Sequence, residues 1–457
     1  MTHSEPDPSS PETASVPASD GGIAPVSGPA RNRLYTAMWR WHFYAGLLAV
    51  PICIFLGVTG GIYLFKPVAE PWLYRELQTV EPGATRLPVE EQLAAVSKAF
   101  PESKPDSITV GVKPGDATEV GTHDKRGRNL LVYVNPYSGE VTGSLVRDRM
   151  LMQQVRKLHG ELLMGGLGSF FVELTACWTL MLTVTGLYLW WPRSGSRVMG
   201  VFVPRLRQGA RIFWRDLHAI VGMYASAIVI VLLVTGLPWT NVWGGLFKRA
   251  QQATGQARPV AADFRVPYRS EHSEGAVTLT LPAALQIAAG QGVAEGATVK
   301  LPRGPEGTYG FINRATNLEE SDFLYLDQYS GKVLARANWD DHPVSAKAVA
   351  LGIRLHQGEL FGPANLIAML LGSLASVWLS ATGVVMWWQR RPRGRLGVPE
   401  LPAGWSAPRW LTAIMISFGV LLPVAGSSLI VLWAVERVVL RRFPTASRWL
   451  GCSWDGK

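Results

Sequence analysis

The sequence predicts an α-helical integral membrane bundle, four principal transmembrane helices plus a candidate fifth, with two α+β domains outside the membrane and an internal two-fold repeat. Three observations carry this. Apolar residues fill 48% of the 457 positions while charged residues fill 17%, a balance foreign to ordinary soluble domains. The apolar residues gather in runs long enough to cross a bilayer. The two longest segments between those runs share a strand–turn–strand pattern.

Taken in order, residues 1–34 are rich in Pro, Ser, Ala and acidic side chains and read as a disordered tail. They lack the basic start and short apolar core of a signal peptide. The first run, Trp41–Phe65, follows Arg31, Arg33 and Arg40 and reads as an uncleaved anchor within a first span at 35–66. An outer domain is expected at 67–154 and a second span at 155–193, around Leu162–Trp191. A loop at 194–213 leads to a third span at 214–245, around Leu217–Trp239. A second outer domain is expected at 246–350 and a fourth span at 351–389, around Phe361–Trp388. After a loop at 390–408, the run Trp410–Val435 makes 409–437 either a fifth span or a re-entrant hairpin, because Pro423 and Gly426 interrupt it. Residues 438–457 form a C-terminal tail.

Charge sets the expected orientation. The net charge of +10 could suggest nucleic acid, but the basic residues stand in short runs beside apolar stretches. Arg193, Arg197, Arg205, Arg207, Arg211 and Arg215 follow the second run, and Arg390, Arg391, Arg393 and Arg395 follow the fourth. The positive-inside rule then puts the N-terminus and both short loops in the cytoplasm and the two long segments in the periplasm of a bacterial inner membrane. A single fifth span would carry the basic tail (Arg437, Arg441, Arg442) outside, against that rule; a hairpin would not. Cys53, Cys177 and Cys452 form no CxxC or CxxCH pattern, so a disulfide framework, a zinc site and covalently attached haem are unsupported.

The repeat is legible in short echoes. LVYVNPYSGEV at 131–141 matches FLYLDQYSGKV at 323–333, and LHGELLMGG at 158–166 matches LHQGELFG at 355–362. Each principal span carries a Thr-Gly pair: Thr59-Gly60, Thr185-Gly186, Thr235-Gly236 and Thr382-Gly383. Small residues of this kind let membrane helices approach closely.

Four of the eight histidines fall at repeat-equivalent positions. His42 and His218 each precede a Thr-Gly by 17 residues, and His159 and His356 each precede one by 26. Expected topology puts His42 and His218 near the cytoplasmic face and His159 and His356 near the periplasmic face. A single His beside a membrane boundary reads most simply as an interfacial polar residue. Four, paired by pseudo-symmetry on opposite faces, read as axial ligands of two non-covalent haems, His42 with His218 and His159 with His356. Arg40, Arg156, Arg215 and Arg354 sit two or three residues before these histidines, either as partners for haem propionates or as interfacial anchors. Glu161 and Glu359 follow the outer pair as imidazole partners or as solvated helix ends. Trp190-Trp191 and Trp387-Trp388 read as interfacial belts, Glu173 as a buried or haem-facing acid, and His3, His123, His272 and His342 as surface residues. Asp340-Asp341-His342 has no diagnostic metal spacing.

The motifs MWRWHFYAGLL…VTGGIYLFK, PYSGEV, QYSGKV, LHGEL…TGLYLWWPR and LHQGEL…TGVVMWWQRR resemble the PepSY-associated transmembrane family of iron-regulated bacterial inner-membrane proteins, which includes ferric-siderophore reductases. The resemblance covers roughly residues 35–440. It implies PepSY-like periplasmic domains, two b-type haems on His42, His159, His218 and His356, and a link to iron uptake. The sequence has no G-x-G-x-x-G after a strand and no cytoplasmic segment large enough for a flavin or nicotinamide module, so the electron donor is expected to be another protein or a membrane quinol.

The expected activity is reduction of ferric iron held between the two outer domains, with a ferric siderophore as its form, releasing Fe(II). No nucleophile or general base is expected. The rival reading is a membrane-anchored binding or regulatory protein without redox activity, in which the four histidines are structural. Transport ranks below both, because the repeats run parallel in topology.

Overall fold

The computed structural model describes residues 30–192, 199–262, 268–271, 275–313, 318–398 and 405–451. Most of the expected N-terminal tail, together with Arg193, Arg197, His3, His272 and Cys452, lies outside the described residues.

The first helix, α1 (Ala30–Tyr63), begins inside the segment expected as tail. Two short helices, α2 (Lys66–Leu73) and α3 (Arg75–Gln78), follow it outside the first apolar run. Helix α4 (Val89–Ala99) precedes four strands, β1 (Ser107–Thr109), β2 (Thr118–His123), β3 (Asn129–Val134) and β4 (Val141–Val146). The second apolar segment is not one helix. It divides into α5 (Leu151–Glu161) and α6 (Gly166–Trp190), joined through Leu162, Leu163 and Gly165, all at positive φ. Two leucines in the left-handed region are strained, and the turn is tight: a Cβ on Gly168 would collide with the carbonyl of Glu161.

The second half runs through a similar order of elements. Helices α7 (Ala210–Gly236), α8 (Val242–Ala253) and α9 (Leu281–Gly290) precede β5 (Thr298–Lys300), β6 (Thr308–Asn313), β7 (Asp322–Asp327) and β8 (Val333–Asn338). Then α10 (Val344–His356) breaks from α11 (Gly362–Arg390) at Gly358, whose φ is +75°. The expected spans at 155–193 and 351–389 are therefore each a short helix turned into a long one; at the second turn Gly358 takes the left-handed conformation without a Cβ penalty, whereas at the first it falls on Leu162 and Leu163.

Five helices are long and apolar enough to cross a membrane: Arg33–Tyr63, Gly166–Trp190, Ala210–Trp239, Gly362–Arg390 and Pro423–Arg442. The chain is a membrane protein. Four of them close a bundle in which α1 lies against α6 and α11, and α7 against the same two. Small residues set the spacing. A Cβ on Gly57 of α1 would stand 2.7 Å from Val377 of α11, and one on Gly372 of α11 would stand 2.7 Å from Ile228 of α7.

The fifth apolar segment is a helical hairpin. Helix α12 (Arg409–Leu421) ends at Leu422, and α13 (Pro423–Ala434) starts on a proline that cannot continue the preceding ladder. Gly419 and Gly426 meet across the bend, where a Cβ on Gly419 would lie 3.1 Å from the Gly426 Cα. After α14 (Pro444–Trp449), the chain returns to the start of α1: Arg40 donates to the Gly451 carbonyl at 3.1 Å and Tyr44 to that of Leu450 at 2.6 Å. The Leu396 amide, just past α11, donates to the Trp449 carbonyl at 3.0 Å. The basic C-terminal segment thus shares a face with the N-terminal end of α1 and with the arginine-rich loop after α11.

Outside the bundle, the two segments expected as separate domains form one eight-stranded antiparallel sheet, in the order β4-β3-β2-β1-β5-β6-β7-β8. The seam is the β1–β5 pairing, with Ile108 opposite Val299 and the Thr109 and Thr298 hydroxyls 2.8 Å apart. One face buries Ile108, Val120, Val132, Val299, Phe311 and Leu324 beneath α4 and α9. Each such large side chain contributes about 1.5–3 kcal/mol on burial. The matching turns are pinned by matching acceptors. Asn135 Oδ1 takes the Tyr137 amide at 2.9 Å, and Asp327 Oδ1 takes those of Tyr329 and Ser330 at 2.9 and 2.8 Å. Although burial acts to raise it, hydrogen bonds from Ser330, Tyr329 and the Glu271 amide bring the Asp327 carboxyl down to about 2.

Two outcomes follow. Thr109→Cys with Thr298→Cys should oxidise to a disulfide, because paired antiparallel Cα atoms lie about 4.5–5.5 Å apart and a disulfide accepts about 4.4–6.8 Å. Non-reducing gels after proteolysis between the halves should retain one linked species; two separate fragments would contradict the seam. A carboxyl with a depressed folded pKa stabilises above its unfolded value of about 3.9 and loses that contribution as pH falls through its folded value. Asp327→Asn should therefore lower the melting temperature at neutral pH, and the difference from the parent should vanish near pH 2, where Asp327 itself protonates. A difference independent of pH would show that the charge is not what the turn uses.

Candidate functional site

The bundle holds two pairs of neighbouring imidazoles. His42 of α1 and His218 of α7 have ring centroids 6.3 Å apart with planes at 89°. His159, at the end of α5, and His356, at the end of α10, also stand 6.3 Å apart, with planes at 68°. The turns that separate α5 from α6 and α10 from α11 place the second pair at the sheet side of the bundle. The first pair lies near the start of α1, on the face where the C-terminal segment returns.

Each imidazole has the same seat, and the seat is a Thr-Gly on another helix. His42 Nδ1 lies 3.0 Å from Thr185 Oγ1 and His159 Nδ1 lies 3.1 Å from Thr59 Oγ1. His218 Nδ1 lies 2.8 Å from Thr382 Oγ1 and His356 Nδ1 lies 2.9 Å from Thr235 Oγ1. Every one of these hydroxyls donates its proton to the carbonyl four residues back on its own helix: Phe55, Met181, Val231 and Trp378, at 2.6–2.8 Å. A hydroxyl has one proton, so each threonine oxygen accepts from the ring. The rings also meet the backbone of Leu182, Leu56, Leu379 and Leu232. The hydrogen-bond network thus assigns the proton to Nδ1 in all four and leaves the Nε2 lone pair free.

The adjoining glycine makes room for the ring. A Cβ on Gly60 would stand 3.0 Å from His159 Cε1, and one on Gly186 would stand 3.2 Å from His42 Cε1. At Gly236 and Gly383 the clearances to His356 and His218 are 3.5 and 3.9 Å.

Two imidazoles whose Nε2 atoms were turned toward each other could both ligate one metal. With a metal–nitrogen bond of about 2.0–2.1 Å and a ring atom about 1.1 Å from its centroid, the centroids would stand about 6.3 Å apart. Among the described residues no group of three or more His, Cys, Asp or Glu side chains could hold a metal ion. A metal at either pair would need its remaining donors from a cofactor.

The sequence-selected neighbours take varied roles. Arg40 stacks over Tyr44 at 5.1 Å in addition to holding Gly451. Arg156 donates to Gln153 at 3.0 Å, and Arg354 pairs with Glu359 at 2.6 Å, so Glu359 is an ion-pair partner rather than a solvated helix end. Arg215 pairs at 2.9 Å with buried Asp216, which also grips Arg205 through both oxygens at 2.7 and 2.8 Å. Sequence reasoning passed over Asp216, although its place beside Arg215 at the basic start of the third apolar segment was a signal. Trp190 and Trp387 donate their indole N–H groups to the Val201 and Leu396 carbonyls, while Trp191 and Trp388 are exposed. His123 meets Asp106 at 3.1 Å, and His342 packs on Trp339.

Glu173 serves neither pair. It is 1% exposed, and its two oxygens accept the Val242 and Trp243 amides at 2.9 and 3.0 Å, capping the N-terminus of α8 from α6. A carboxylate there is favoured by the unsatisfied N–H groups and the helix dipole.

A family profile described as PepSY-associated TM region matches residues 39–390. No curated protein gives a significant match. The match spans both histidine pairs, both Thr-Gly seats in each half, and the whole sheet.

Glu173→Ala strips two helix-terminal amides of their acceptor and should cost about 1–2 kcal/mol, read as a lower melting temperature of the detergent-solubilised protein. An unchanged melting temperature would mean that α8 is capped by other groups.

Proposed function

From the premise that the chain belongs to the PepSY-associated transmembrane family, we propose that it is a di-haem b electron conduit of the bacterial inner membrane. It reduces ferric iron on the periplasmic side, with a ferric siderophore as the substrate form, and releases Fe(II). The observation that carries this reading is the two imidazole pairs, each with ring centroids 6.3 Å apart and every Nδ1 held by a threonine oxygen. Two protein nitrogens per site, with no third ligand among the described residues, suit a cofactor whose own ring supplies the other donors. Haem b is that cofactor, with His42 and His218 at the cytoplasmic side and His159 and His356 at the periplasmic side. Bound in this way, haem supplies a one-electron couple.

The chain's own residues do the rest. Thr59, Thr185, Thr235 and Thr382 fix each imidazole's tautomer and rotation, as outer hydrogen-bond partners do for metal-bound histidine. All four imidazoles are half-buried between apolar helices. Arg40, Arg156, Arg215 and Arg354 remain candidates for propionate contact, those at Arg215 and Arg354 in competition with Asp216 and Glu359. In the substrate, hard oxygen donors hold Fe(III) well and Fe(II) less well, so adding one electron loosens the metal. The electron comes from a protein or quinol donor on the cytoplasmic side. In this reading the matched halves of the sheet are two PepSY-like copies joined edge to edge, and the shared basic face is cytoplasmic.

Single substitutions test the pairing. His159→Ala and His356→Ala should each abolish the same haem and spare the other, and His42→Ala and His218→Ala should do the converse, read by absorption after dithionite reduction. Thr59→Val or Thr235→Val should weaken retention of the periplasmic-side haem about 10–100-fold and leave the other in place. Loss of different haems from His159→Ala and His356→Ala would overturn the assignment.

A further inference from the structure

At the seam of the sheet lies a cleft of about 670 Å³. Register explains its position. Leu131, Gly121, Ser107, Lys300, Gly310 and Tyr325 are successive cross-strand partners, so they share the face opposite α4 and α9. The ends of this row are built up, Leu131 against Tyr74, Leu77 and Met150, and Tyr325 against Tyr268 at a ring distance of 4.6 Å. Its middle is hollow because the residues there are small. A Cβ on Gly310 would lie 3.5 Å from the Tyr325 ring, and one on Gly121 would collide with Ser107. Tyr74 and Met150 stand where the chain leaves and re-enters the bundle, so this face is turned toward the end that carries His159 and His356.

The lining is cationic. Arg147, Arg269, Lys300 and Arg303 face Asp106 and Glu306. Arg303 and His123 meet Asp106 at 3.0 and 3.1 Å, and Arg269 meets Glu306 at 2.8 Å. Arg147 has Glu119 at 3.4 Å, a carboxylate that lies outside the lining itself. Membrane topology does not account for the surplus, since the positive-inside rule concentrates arginine on the opposite face.

We propose that this cleft docks ferric chelates of net negative charge, complexes whose carboxylate or catecholate oxygens outnumber the charge of Fe(III), in preference to cationic hydroxamate complexes. It rests on the ferric-chelate reading above and narrows its substrate class. The volume falls within the range of about 300–1,000 Å³ usual for small-molecule sites, far more than a single phosphate needs. Guanidinium groups suit planar carboxylate donors, and Lys300 adds a point charge at the centre.

The test uses gallium(III), which binds the same chelators as Fe(III) but is not reduced, so binding is read apart from electron transfer. Full-length protein in detergent is titrated with gallium(III) citrate, an anion, and with gallium(III) desferrioxamine B, a cation. The citrate complex should bind at least about tenfold more tightly, with the advantage shrinking as salt rises. The Lys300→Gln, Arg147→Gln double variant should lose that advantage at an unchanged gel-filtration profile. Equal binding of the two complexes by the parent protein, or a preference that survives in a folded double variant, would overturn the proposal. A haem-bearing reductase with no charge preference would sink this inference alone; an anion-selective cleft in a haem-free protein would sink the reductase reading alone.

Discussion

An imidazole inside a membrane bundle must have its N–H satisfied, because an unpaired donor in an apolar medium costs several kcal/mol. This protein meets the requirement four times with one device. A threonine spends its own proton on the preceding helical turn and turns its oxygen to the ring, and the next residue is glycine, so the ring can lie against the backbone. Each seat lies on a different helix from its histidine. Helix α1 carries His42 and seats His159, and α7 carries His218 and seats His356. The same bonds that fix the rings therefore tie α1 to α6 and α5, and α7 to α11 and α10. Packing of the bundle and placement of the candidate ligands are one structural fact.

The sheet imposes the same logic outside the bundle. Strands β1 and β5 are three residues each, too short to be stable edges alone. Pairing them satisfies both edges and locks the two halves in register. That register brings Gly121, Ser107, Lys300 and Gly310 side by side and opens the cleft on the face toward the His159–His356 pair. The cleft and the His159–His356 pair thus fall on the same side of the molecule.

Much of this was legible in the sequence. The apolar runs, the Thr-Gly pairs, the equal 17- and 26-residue spacings and the two Tyr-Ser-Gly turns are local patterns, and local patterns survive in one dimension. Relations across the chain were hidden. The spacing from His42 to Thr59 follows one helix, yet the bond runs from His42 to Thr185. Glu173 reads as a lone buried acid until the α8 N-terminus, some 70 residues away in the chain, is seen to need a cap. The breaks at Leu162 and Leu163 oppose the preference of leucine for helix, and tertiary contact between α5 and α6 overrides it. The seam was missed because β1 and β5 are shorter than any periodicity can reveal. Pro423 flagged the last segment as a break, and the contacts of Leu450 and Gly451 with α1 show where the chain goes after it.

The most direct measurement is a pyridine haemochrome quantitation on protein purified in detergent from haem-replete cells. About two b-type haems per chain, with sharp reduced α-bands that bleach when a ferric siderophore is added, is the result expected of the electron conduit. A colourless protein, folded by gel filtration and unable to take up haem, would contradict it and leave the four imidazoles as structural ties in a membrane-anchored binding protein.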